Sequence, residues 1–330
     1  MTSENISVAM CTYNGVAYIQ QQLESILRQT VLPTQIVISD DGSSDGTIEH
    51  IESFWESQLL HNESLASIQM TIIRNAAPLG VTKNFEQALM ACVHPLIALC
   101  DQDDLWMPTK LEVLSQIFDE NEELLLVFTD SQLVDAEGSP LGYTSFDALG
   151  VSKSEKTAFE EGNGAKVLLK RNLATGATVM LRKSLVDIAT PFPVDWVHDE
   201  WLALVSAFAG KIYISEECLI DYRQHGKNQI GMKKPGLRHY IGRLIFSRSE
   251  RNAMLLNRAE QMNKHSFFQE QNPEAHKAAI GKLAHEVARQ GLPQARLKRI
   301  KPVIKEMRTG RYSDFGLGYQ DIARDLIQPV

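Results

Sequence analysis

The chain has 330 residues, enough for one large α/β domain or two ordinary ones. Its 44% hydrophobic and 22% charged residues are typical of a globular protein with a sizeable core. No apolar stretch reaches membrane-spanning length, since the best one, residues 88–100, is broken by His94 and Pro95. The four cysteines show no paired spacing, and the N-terminus shows no signal-peptide pattern. These features argue against a membrane span, a disulfide framework and a zinc site, and they predict a cytoplasmic location.

The net charge of −8 is unevenly distributed along the chain. Residues 231–330 hold 19 Lys and Arg against 9 Asp and Glu, which gives this part a charge of +10. The remaining residues therefore carry a charge of −18. Such a division predicts two parts, 1–230 and 231–330, that face different partners.

Strand-like and helix-like patterns alternate from Ile6 to Thr129. Apolar, β-branched runs predict strands over 6–11, 35–39, 68–73, 96–100 and 124–129, and helical periodicity predicts helices over 16–29, 46–60, 81–93 and 109–120. This alternation predicts an α/β fold with a mostly parallel sheet flanked by helices. In such sheets ligands bind beyond the carboxyl ends of the strands, which is where the polar clusters of this sequence lie.

Three carboxylates, Asp101, Asp103 and Asp104, directly follow the predicted strand 96–100. Like charges so close repel one another, and each carboxylate resists losing its hydration. Residues i and i+2 of an extended segment point to the same side, so Asp101 and Asp103 form a pair. The pair requires either a positively charged partner or the full solvation of an acidic turn.

The run "DDGSSDGTIEHIE" nearly fits a calcium loop, with acidic or hydroxyl side chains at alternate positions and Glu52 at the twelfth. Such a loop needs a helix in front, and the preceding "TQIVIS" is strand-like. The segment is therefore predicted to be a strand-to-helix turn in which Ser44 and Asp45 cap the next helix. Capping explains the double acid Asp40–Asp41 less well.

Four ordered segments carry a resemblance to a known family: "SVAMCTYNG", "QIVISDDGSSDGT", "LCDQDDLWMP" and "HDEWLALVSAFAGKI". Together they resemble glycosyltransferase family 2, the inverting enzymes with a GT-A, Rossmann-like fold. The later "YRQHGKNQIG" makes the chain similar to the bacterial rhamnosyltransferases of surface polysaccharide synthesis. The resemblance implies a transferase domain over 1–230 that moves a sugar from a dTDP- or UDP-sugar to a glycan or lipid-linked acceptor.

The resemblance also implies a cation, Mg²⁺ or Mn²⁺, that neutralises the diphosphate leaving group. It makes Asp103 the direct metal ligand and places Asp101 beside the ribose or the metal. Mg²⁺ usually takes one or two protein carboxylates, with phosphate oxygens and waters completing its shell. Asp104 points the other way and is expected to cap the loop before Pro108.

For the nucleotide, the resemblance places the Cys11 backbone and the Tyr13 ring beside the base, with Asp41 accepting a hydrogen bond from a base N–H. Cys11 stands where Thr or Ser is common in the family, which weakens any role for its side chain. Lys83 and Asn84 follow Gly80 and could touch the base or the phosphate. An exposed helix start is the equally good alternative for both.

An inverting transfer is a single displacement in which a base takes the proton of the acceptor hydroxyl. The position that matches the family's base is Asp199, at the start of a predicted helix. Asp is also favoured at helix starts without any catalysis, so plain capping is the alternative. Glu200 is the second candidate for the base, and His198 could orient either carboxylate.

His225 lies beyond Asp199 in the chain, and several family members place a metal-binding His at a comparable distance after the base. Neutral imidazole suits Mn²⁺ better than Mg²⁺. A structural or surface histidine is the alternative. Arg223 and Lys227 flank His225 and could steady the diphosphate, or they belong to a basic surface loop.

The basic residues 231–330 are predicted to form helices. An apolar stripe from Leu237 to Ile245, edged by Arg238, Arg243 and Arg248, predicts peripheral contact with an anionic membrane. Packing of this stripe on the catalytic domain is the alternative. No aromatic-rich basic face accompanies the charge, so nucleic-acid binding is not expected. The sequence does not indicate an oligomeric state.

Two further classes stay open at this stage. A catalytically inactive relative that only binds a sugar or nucleotide would keep the fold, although the intact Asp101–Asp103 pair and Asp199 argue against it. A signalling receiver domain also groups acids at strand ends, but it needs neither Asp199 nor His225.

Overall fold

The computed structural model describes residues 6–226 and 247–329 as an α/β fold with a mixed, helix-flanked sheet and a helical C-terminal region. The boundary expected between residues 230 and 231 lies outside the described residues. The strands, in chain order, are β1 (Ile6–Thr12), β2 (Gln35–Asp40), β3 (Gln69–Arg74), β4 (Leu96–Cys100), β5 (Leu105–Trp106), β6 (Leu124–Val134), β7 (Pro140–Thr144), β8 (Met180–Arg182) and β9 (Lys211–Arg223).

The helices within residues 6–226 are α1 (Ile19–Leu27), α2 (Thr47–His61), α3 (Val81–Ala91), α4 (Lys110–Asp119), α5 (Ser145–Leu149), α6 (Lys153–Glu160), α7 (Gly164–Leu168), α8 (Lys183–Ala189) and α9 (His198–Ala209). The C-terminal helices are α10 (Arg248–Lys264), α11 (Pro273–Gln290), α12 (Arg296–Met307), α13 (Arg311–Phe315) and α14 (Tyr319–Ile327). A π-helical turn, Phe267–Gln271, joins α10 to α11.

The strands are arranged in the order β3-β2-β1-β4-β8-β6-β9-β5, and β7 pairs with β6. The pairs β3–β2, β2–β1 and β1–β4 are parallel, as the alternation of strands and helices predicted. Beyond β4 the short strand β8 pairs antiparallel on both sides, and β6 and β9 are parallel to each other. The carboxyl ends of β1, β2 and β4 therefore meet at one edge of the sheet.

Strands β1, β2 and β4 are buried on both faces of the sheet, which is why they are nearly continuous apolar runs rather than alternating ones. Every residue of β1 and β2 is buried. One hydrophobic cluster contains Phe85, Leu99 and Trp201, and the other contains Leu23, Ile51 and Leu114. Every strand and helix predicted between Ile6 and Thr129 is observed, with ends shifted by a few positions and β6 extended to Val134.

The C-terminal helices pack against the sheet-containing residues 6–226. Met262, Phe267 and Phe268 belong to the same hydrophobic cluster as Trp201, and the rings of Phe268 and Trp201 lie 5.6 Å apart. The Trp196 indole N–H donates to the carbonyl of Arg258 on α10 at 3.0 Å. These contacts fix α10 against the segment that precedes α9.

The membrane-facing stripe predicted around Arg238, Arg243 and Arg248 is only partly within the described residues. Arg248 is buried, and its guanidinium donates to the carbonyls of Arg289 and Leu292. A role for Arg248 at a membrane surface is therefore wrong, because its guanidinium binds helix-end carbonyls inside the protein. The stripe itself and the other two arginines lie outside the described residues. Within residues 6–226 and 247–329, no helix combines the length and apolar character needed to cross a membrane.

Candidate active site

The acidic turn after β4 lies at the edge where the parallel strands end. Asp101 and Asp103 are partly buried, and Asp104 is fully buried. Gln102 between them accepts from the Tyr13 N–H at 2.8 Å and donates to the Tyr13 carbonyl at 3.1 Å. This two-point contact ties the turn after β4 to the turn after β1, and the sequence analysis did not foresee it.

Asp103 contacts His225, which lies just beyond the end of β9. The Nε2 atom of His225 lies 2.7 Å from Oδ2 of Asp103. The imidazole also stacks on the Tyr18 ring, with 4.7 Å between the ring centroids. Burial raises the pKa of Asp103, while the contact with His225 lowers it in part. The structure thus brings together two residues that are 122 positions apart and that were both predicted to bind a metal.

The Arg223 side chain is hydrogen-bonded to other parts of the protein. It is buried, its Nε donates to the Asp103 carbonyl, and its backbone N–H donates to Oδ1 of Asp104 at 3.0 Å. Its terminal nitrogens donate to the Ala136 carbonyl and the Gln21 side chain. Arg223 therefore holds the acidic turn in place, and Asp104 anchors the turn to β9 rather than capping the loop before Pro108. Lys227 lies outside the described residues.

Lys110 lies buried beneath the acidic turn, and the sequence analysis missed it. Its ammonium donates to the Ala177 carbonyl at 2.7 Å and lies 3.7 Å from the centroid of the Trp106 ring. Burial lowers the pKa of Lys110 to about 7, against the attraction of nearby acids. A signal was present in the sequence, because Lys110 begins the buried stripe that continues with Leu114 and Phe118 at helical spacing.

Asp101 and Asp199 lie close enough for their charges to interact. Burial, followed by the negative charges of Asp103 and Asp199, raises the pKa of Asp101 to about 7. Lys110 acts in the opposite direction. The end of β4 and the start of α9, which are distant in sequence, therefore face one another across a single site.

Asp199 is the second residue of α9 and is buried. Its Oδ2 accepts from the Gly176 N–H at 2.8 Å, and its Oδ1 accepts from the Glu200 N–H at 2.5 Å and the Asn172 amide at 3.3 Å. Burial, followed by the charge of Glu200, raises the pKa of Asp199 to about 7 despite these three donors. The carboxylate is thus held in one orientation but remains readily protonated.

Glu200 and His198 have different surroundings from Asp199. Glu200 forms an ion pair with Arg258 of α10, and the guanidinium of Arg258 lies over the Trp196 ring. His198 is buried and stacks on Phe85 with 3.8 Å between ring centroids. Among the described residues, neither ring nitrogen of His198 has a hydrogen-bond partner, and burial lowers its pKa to about 3. His198 therefore contributes a neutral, packed ring and does not orient either carboxylate by a hydrogen bond.

The residues predicted to contact the nucleotide lie around the same edge. Cys11 is buried near the end of β1, and the Tyr13 side chain is 47% exposed. Burial, followed by the charge of Asp101, raises the pKa of the Cys11 thiol well above its usual value. Cys11 therefore presents backbone and a neutral thiol, and Tyr13 presents an accessible ring.

Asp40 and Asp41 each accept hydrogen bonds that order a different turn, Asp40 the turn after β2 and Asp41 the turn before α3. Asp40 accepts from the Thr12 hydroxyl at 2.7 Å and from the Ser43 N–H at 2.8 Å, which shapes the turn after β2. Asp41 accepts from the Leu79 N–H at 2.6 Å and the Gly80 N–H at 2.9 Å. The double acid thus has a structural reason that helix capping did not supply. Strand β2 stands directly before this turn, which agrees with rejecting the calcium loop.

Lys83 and Asn84 lie in the first turn of α3. The ammonium of Lys83 pairs with Glu86 at 2.6 Å and remains partly exposed. Asn84 is buried, accepts from the Ser39 hydroxyl at 2.6 Å and donates to the Ser39 carbonyl at 2.8 Å. Asn84 therefore joins α3 to β2, and of the two only Lys83 keeps a side chain able to reach a ligand.

The Asp103–His225 pair places an oxygen and a nitrogen donor 2.7 Å apart, and these donor types suit Mn²⁺ and, through the carboxylate, Mg²⁺. Within residues 6–226 and 247–329, no three His, Cys, Asp or Glu side chains are grouped so as to hold a metal by themselves. A cation here would take part of its shell from phosphate oxygens and water, which is common for Mg²⁺. The residues present fit a cation shared with a phosphorylated ligand.

The open α/β sheet, with an acidic turn after its fourth strand and a facing acid at a helix start, defines a glycosyltransferase of the GT-A fold. The chain belongs to glycosyltransferase family 2, because a sequence model of that family, described as "Glycosyl transferase family 2", matches residues 7–187. Family membership removes the signalling receiver domain from the alternatives.

Curated relatives are similar over about two thirds of the chain. An uncharacterized glycosyltransferase of Nostoc sp. is 26% identical over 226 residues, which span 68% of this chain and 66% of that protein. The dTDP-rhamnosyl transferase RfbG of Shigella flexneri is 26% identical over 231 residues, which span 67% of this chain and 73% of RfbG. An uncharacterized Mycobacterium tuberculosis protein is matched over only 59% of its length, so this chain spans less than two thirds of several relatives.

Solved structures share the fold over nearly the whole chain. TarS of S. aureus, residues 1–349 in complex with UDP, matches with a TM-score of 0.53 at 15% identity, over 96% of this chain and 91% of that one. The mannosyltransferase PcManGT of Pyrobaculum calidifontis, in complex with GDP-Man and Mn²⁺, matches with a TM-score of 0.54 at 16% identity, over 97% of this chain and 85% of that one. At these identities the likeness shows the fold alone.

Proposed function

We propose that the protein is an inverting glycosyltransferase that moves a sugar from a nucleotide diphosphate to a hydroxyl of a glycan or lipid-linked acceptor in cell-surface polysaccharide synthesis. The observation that carries the proposal is the meeting of Asp101, Asp103, Asp199 and His225, which come from three separate parts of the chain. Acids that raise one another's pKa at the edge of a sheet are costly unless a ligand uses them. A catalytically inactive relative would have no need to keep all four.

The proposed donor is a dTDP- or UDP-sugar, with rhamnose as the first candidate for the sugar. The Cys11 backbone and the accessible Tyr13 ring would receive the base, Asp41 would accept a base N–H, and Lys83 would meet the base or a phosphate. TarS binds UDP and UDP-GlcNAc, and RfbG is a dTDP-rhamnosyl transferase, which supports this class of donor. We place the activity in the cytoplasm, because the four free cysteines of the chain need no oxidising compartment.

Asp103 and His225, with Asp101 beside them, would hold Mg²⁺ or Mn²⁺. When bound, the cation supplies positive charge that stabilises the departing diphosphate. Lys110 beneath the turn stabilises the ionised form of Asp101, and Arg223 fixes the backbone of Asp103. Lys110 thus lessens the rise in the pKa of Asp101, and Arg223 keeps Asp103 in place for the ligand.

Asp199 is the proposed base. In an inverting displacement the acceptor oxygen forms its bond to the anomeric carbon while the bond to the diphosphate breaks, and the hydroxyl proton passes to a carboxylate oxygen of Asp199. The Gly176 N–H and the Asn172 amide orient that carboxylate. A pKa of about 7 leaves Asp199 able to accept a proton near neutral pH and to release it afterwards.

The test is hydrolysis and transfer of a panel of nucleotide sugars, with and without Mn²⁺ or Mg²⁺. We expect turnover of a dTDP- or UDP-sugar that depends on the cation, and its abolition in Asp103→Ala with the far-ultraviolet circular dichroism spectrum retained. Asp187→Ala, which removes an exposed carboxylate on α8, is the matched control and should keep full turnover. Near-native turnover in Asp103→Ala would remove the metal site from the proposal. Binding of nucleotide sugars without any turnover would favour the inactive relative.

A further inference from the structure

Helix α12 exposes a stripe of large apolar side chains to solvent. Leu297 is 83% exposed, and Ile300, Ile304 and Met307 are between 40% and 44% exposed. The four positions follow the spacing i, i+3, i+7 and i+10, so they form one continuous stripe along the helix. Surface helices of soluble proteins normally carry polar residues at such positions.

The opposite face of α12 carries the polar side chains. Arg299 and Glu306 are buried beside Val303. The guanidinium of Arg299 donates to four backbone carbonyls, and Glu306 pairs with His285 and with Arg311. The helix is therefore attached to the protein largely through its polar face. Its outward apolar stripe is not explained by packing on the described residues.

Cationic side chains border the apolar stripe. Lys298, Lys301, Lys305 and Arg308 are exposed and repeat the same i, i+3, i+7, i+10 spacing one position further along. They form a row beside the stripe, since each is rotated by about 100° from the apolar residue before it. The one acidic residue of α12, Glu306, is buried and paired, so the exposed face is apolar and cationic.

We propose that α12 docks on the surface of an anionic lipid bilayer. The apolar stripe would enter the boundary between headgroups and acyl chains, and the row of Lys and Arg would meet the anionic headgroups. Charge complementarity favours an anionic bilayer over self-association, because a second copy of the chain would bring a like-charged row of side chains to the same face. The stripe predicted from Leu237 to Ile245 lies outside the described residues and stays a separate prediction.

The proposal goes beyond the proposed function and does not depend on it, because binding to vesicles requires no sugar transfer. The test uses the full chain and sedimentation with vesicles of phosphatidylcholine, alone or mixed with phosphatidylglycerol. We expect binding to the mixed vesicles only, with the affinity falling as the salt concentration rises from about 0.05 to about 0.5 M, because the headgroup attraction is screened. No binding, or equal binding to neutral vesicles, would overturn the proposal.

Two variants separate the cationic and apolar contributions. The triple variant Lys298→Gln, Lys301→Gln, Lys305→Gln should bind about 100-fold more weakly, because each Lys near an anionic surface is worth about 5-fold. Its matched control replaces three exposed lysines elsewhere, Lys153, Lys170 and Lys277, by Gln and should bind as the parent does.

The apolar contribution is tested by Leu297→Gln, which should weaken vesicle binding roughly 10-fold. Leu60→Gln is its matched control, because Leu60 on α2 is 84% exposed and Leu297 is 83% exposed. Equal losses in the variants and their controls would overturn the proposal, since no particular surface would then be involved. A dimer in sedimentation velocity that Leu297→Gln converts to a monomer, with vesicle binding unchanged, would reassign the stripe to self-association.

Discussion

The edge of the sheet and the C-terminal helices both bury aspartates, with opposite electrostatic outcomes. At the sheet edge, burial together with the charges of neighbouring acids raises the pKa of both Asp101 and Asp199 to about 7. Among the C-terminal helices, burial also opposes the charge of Asp321, but Arg289 and Arg251 outweigh it and hold that pKa far below its usual range. The difference lies in the neighbours, not in the depth of burial.

The C-terminal helices pair several of their buried charges with one another. Arg289 contacts Asp325 at 2.8 Å and Glu286 at 3.2 Å, and the Tyr312 hydroxyl donates to Asp325 at 2.8 Å. Arg324 pairs with Asp321 at 2.9 Å. The many short contacts of such a network offset the cost of desolvating its charged groups. They also fix the positions of the helices relative to one another.

The comparison teaches how to assign buried acids to structure or to function. A buried carboxylate among arginines serves the fold, because its charge is balanced inside the protein. A buried carboxylate among other carboxylates is destabilising on its own and is explained by a ligand or a reaction. Each of the following experiments sharpens or breaks this distinction.

The largest expected effect is on catalysis. Asp199→Asn keeps the size and hydrogen-bonding capacity of the side chain but cannot accept a proton. The rate of transfer should fall by about 10²–10⁴-fold, the usual contribution of a positioned base, while the affinity for the nucleotide donor changes little. Steady-state kinetics and donor binding by calorimetry measure the two quantities separately.

Glu200→Gln is the control for this prediction, because the Glu200 carboxylate already pairs with Arg258, and its rate of transfer should fall by less than about 10-fold. A larger loss in Glu200→Gln than in Asp199→Asn would move the base by one residue. The rate of the parent enzyme should also decline as the pH falls below about 7, since protonated Asp199 cannot accept a proton. That acid limb should be weaker in the residual rate of Asp199→Asn, where Asp101 is the remaining site carboxyl with a pKa of about 7.

The next effect concerns the stability of the C-terminal network. Arg289→Met leaves Asp325, Asp321 and Glu286 without their shared cation, so the free energy of unfolding should fall by about 3–5 kcal/mol. The matched control is Arg28→Met, because Arg28 is 74% exposed in its pair with Glu24 and should cost less than about 1 kcal/mol. Denaturant unfolding measures both values. Similar losses in the two variants would show that the buried network does not stabilise the fold.

The smallest expected effect is a gain, not a loss, in the free energy of unfolding. The folded state disfavours ionised Asp101, so its charge lowers stability at every pH above the ordinary carboxyl range. Asp101→Asn should therefore raise the free energy of unfolding by about 1–2 kcal/mol at pH 8 in the absence of divalent cations. Asp325→Asn, at a paired aspartate, should lower it. A loss of stability in both variants would break the distinction between the two regions.

Local patterns were sufficient for the longer strands and helices between Ile6 and Thr129, but not for the two-residue strand β5, and they singled out Asp101 and Asp103 as a pair. Asp199 and His225 became candidates only through the resemblance to the family. Strand β8 was not predicted from the sequence, because so short a strand carries no periodicity. It forms only by pairing with β4 and β6. The roles of Lys110 and Gln102 at the site were not predicted either, since neither residue belongs to a recognisable motif. Their roles come from Ala177 and Tyr13, which are far away in the chain.

The sequence by itself determined the alternation of strands and helices, the acidic turn after β4 and the excess of positive charge after residue 230, because these depend on residue order and composition. Only the tertiary structure decided which positive charges face outward. Arg248, Arg289 and Arg299 are buried because carbonyls and carboxylates from other helices surround them. Lys298 and Lys301 stay in solvent because no such partners face them among the described residues. Burying a guanidinium requires several acceptors to converge from distant parts of the chain, and that convergence is a property of the packed fold.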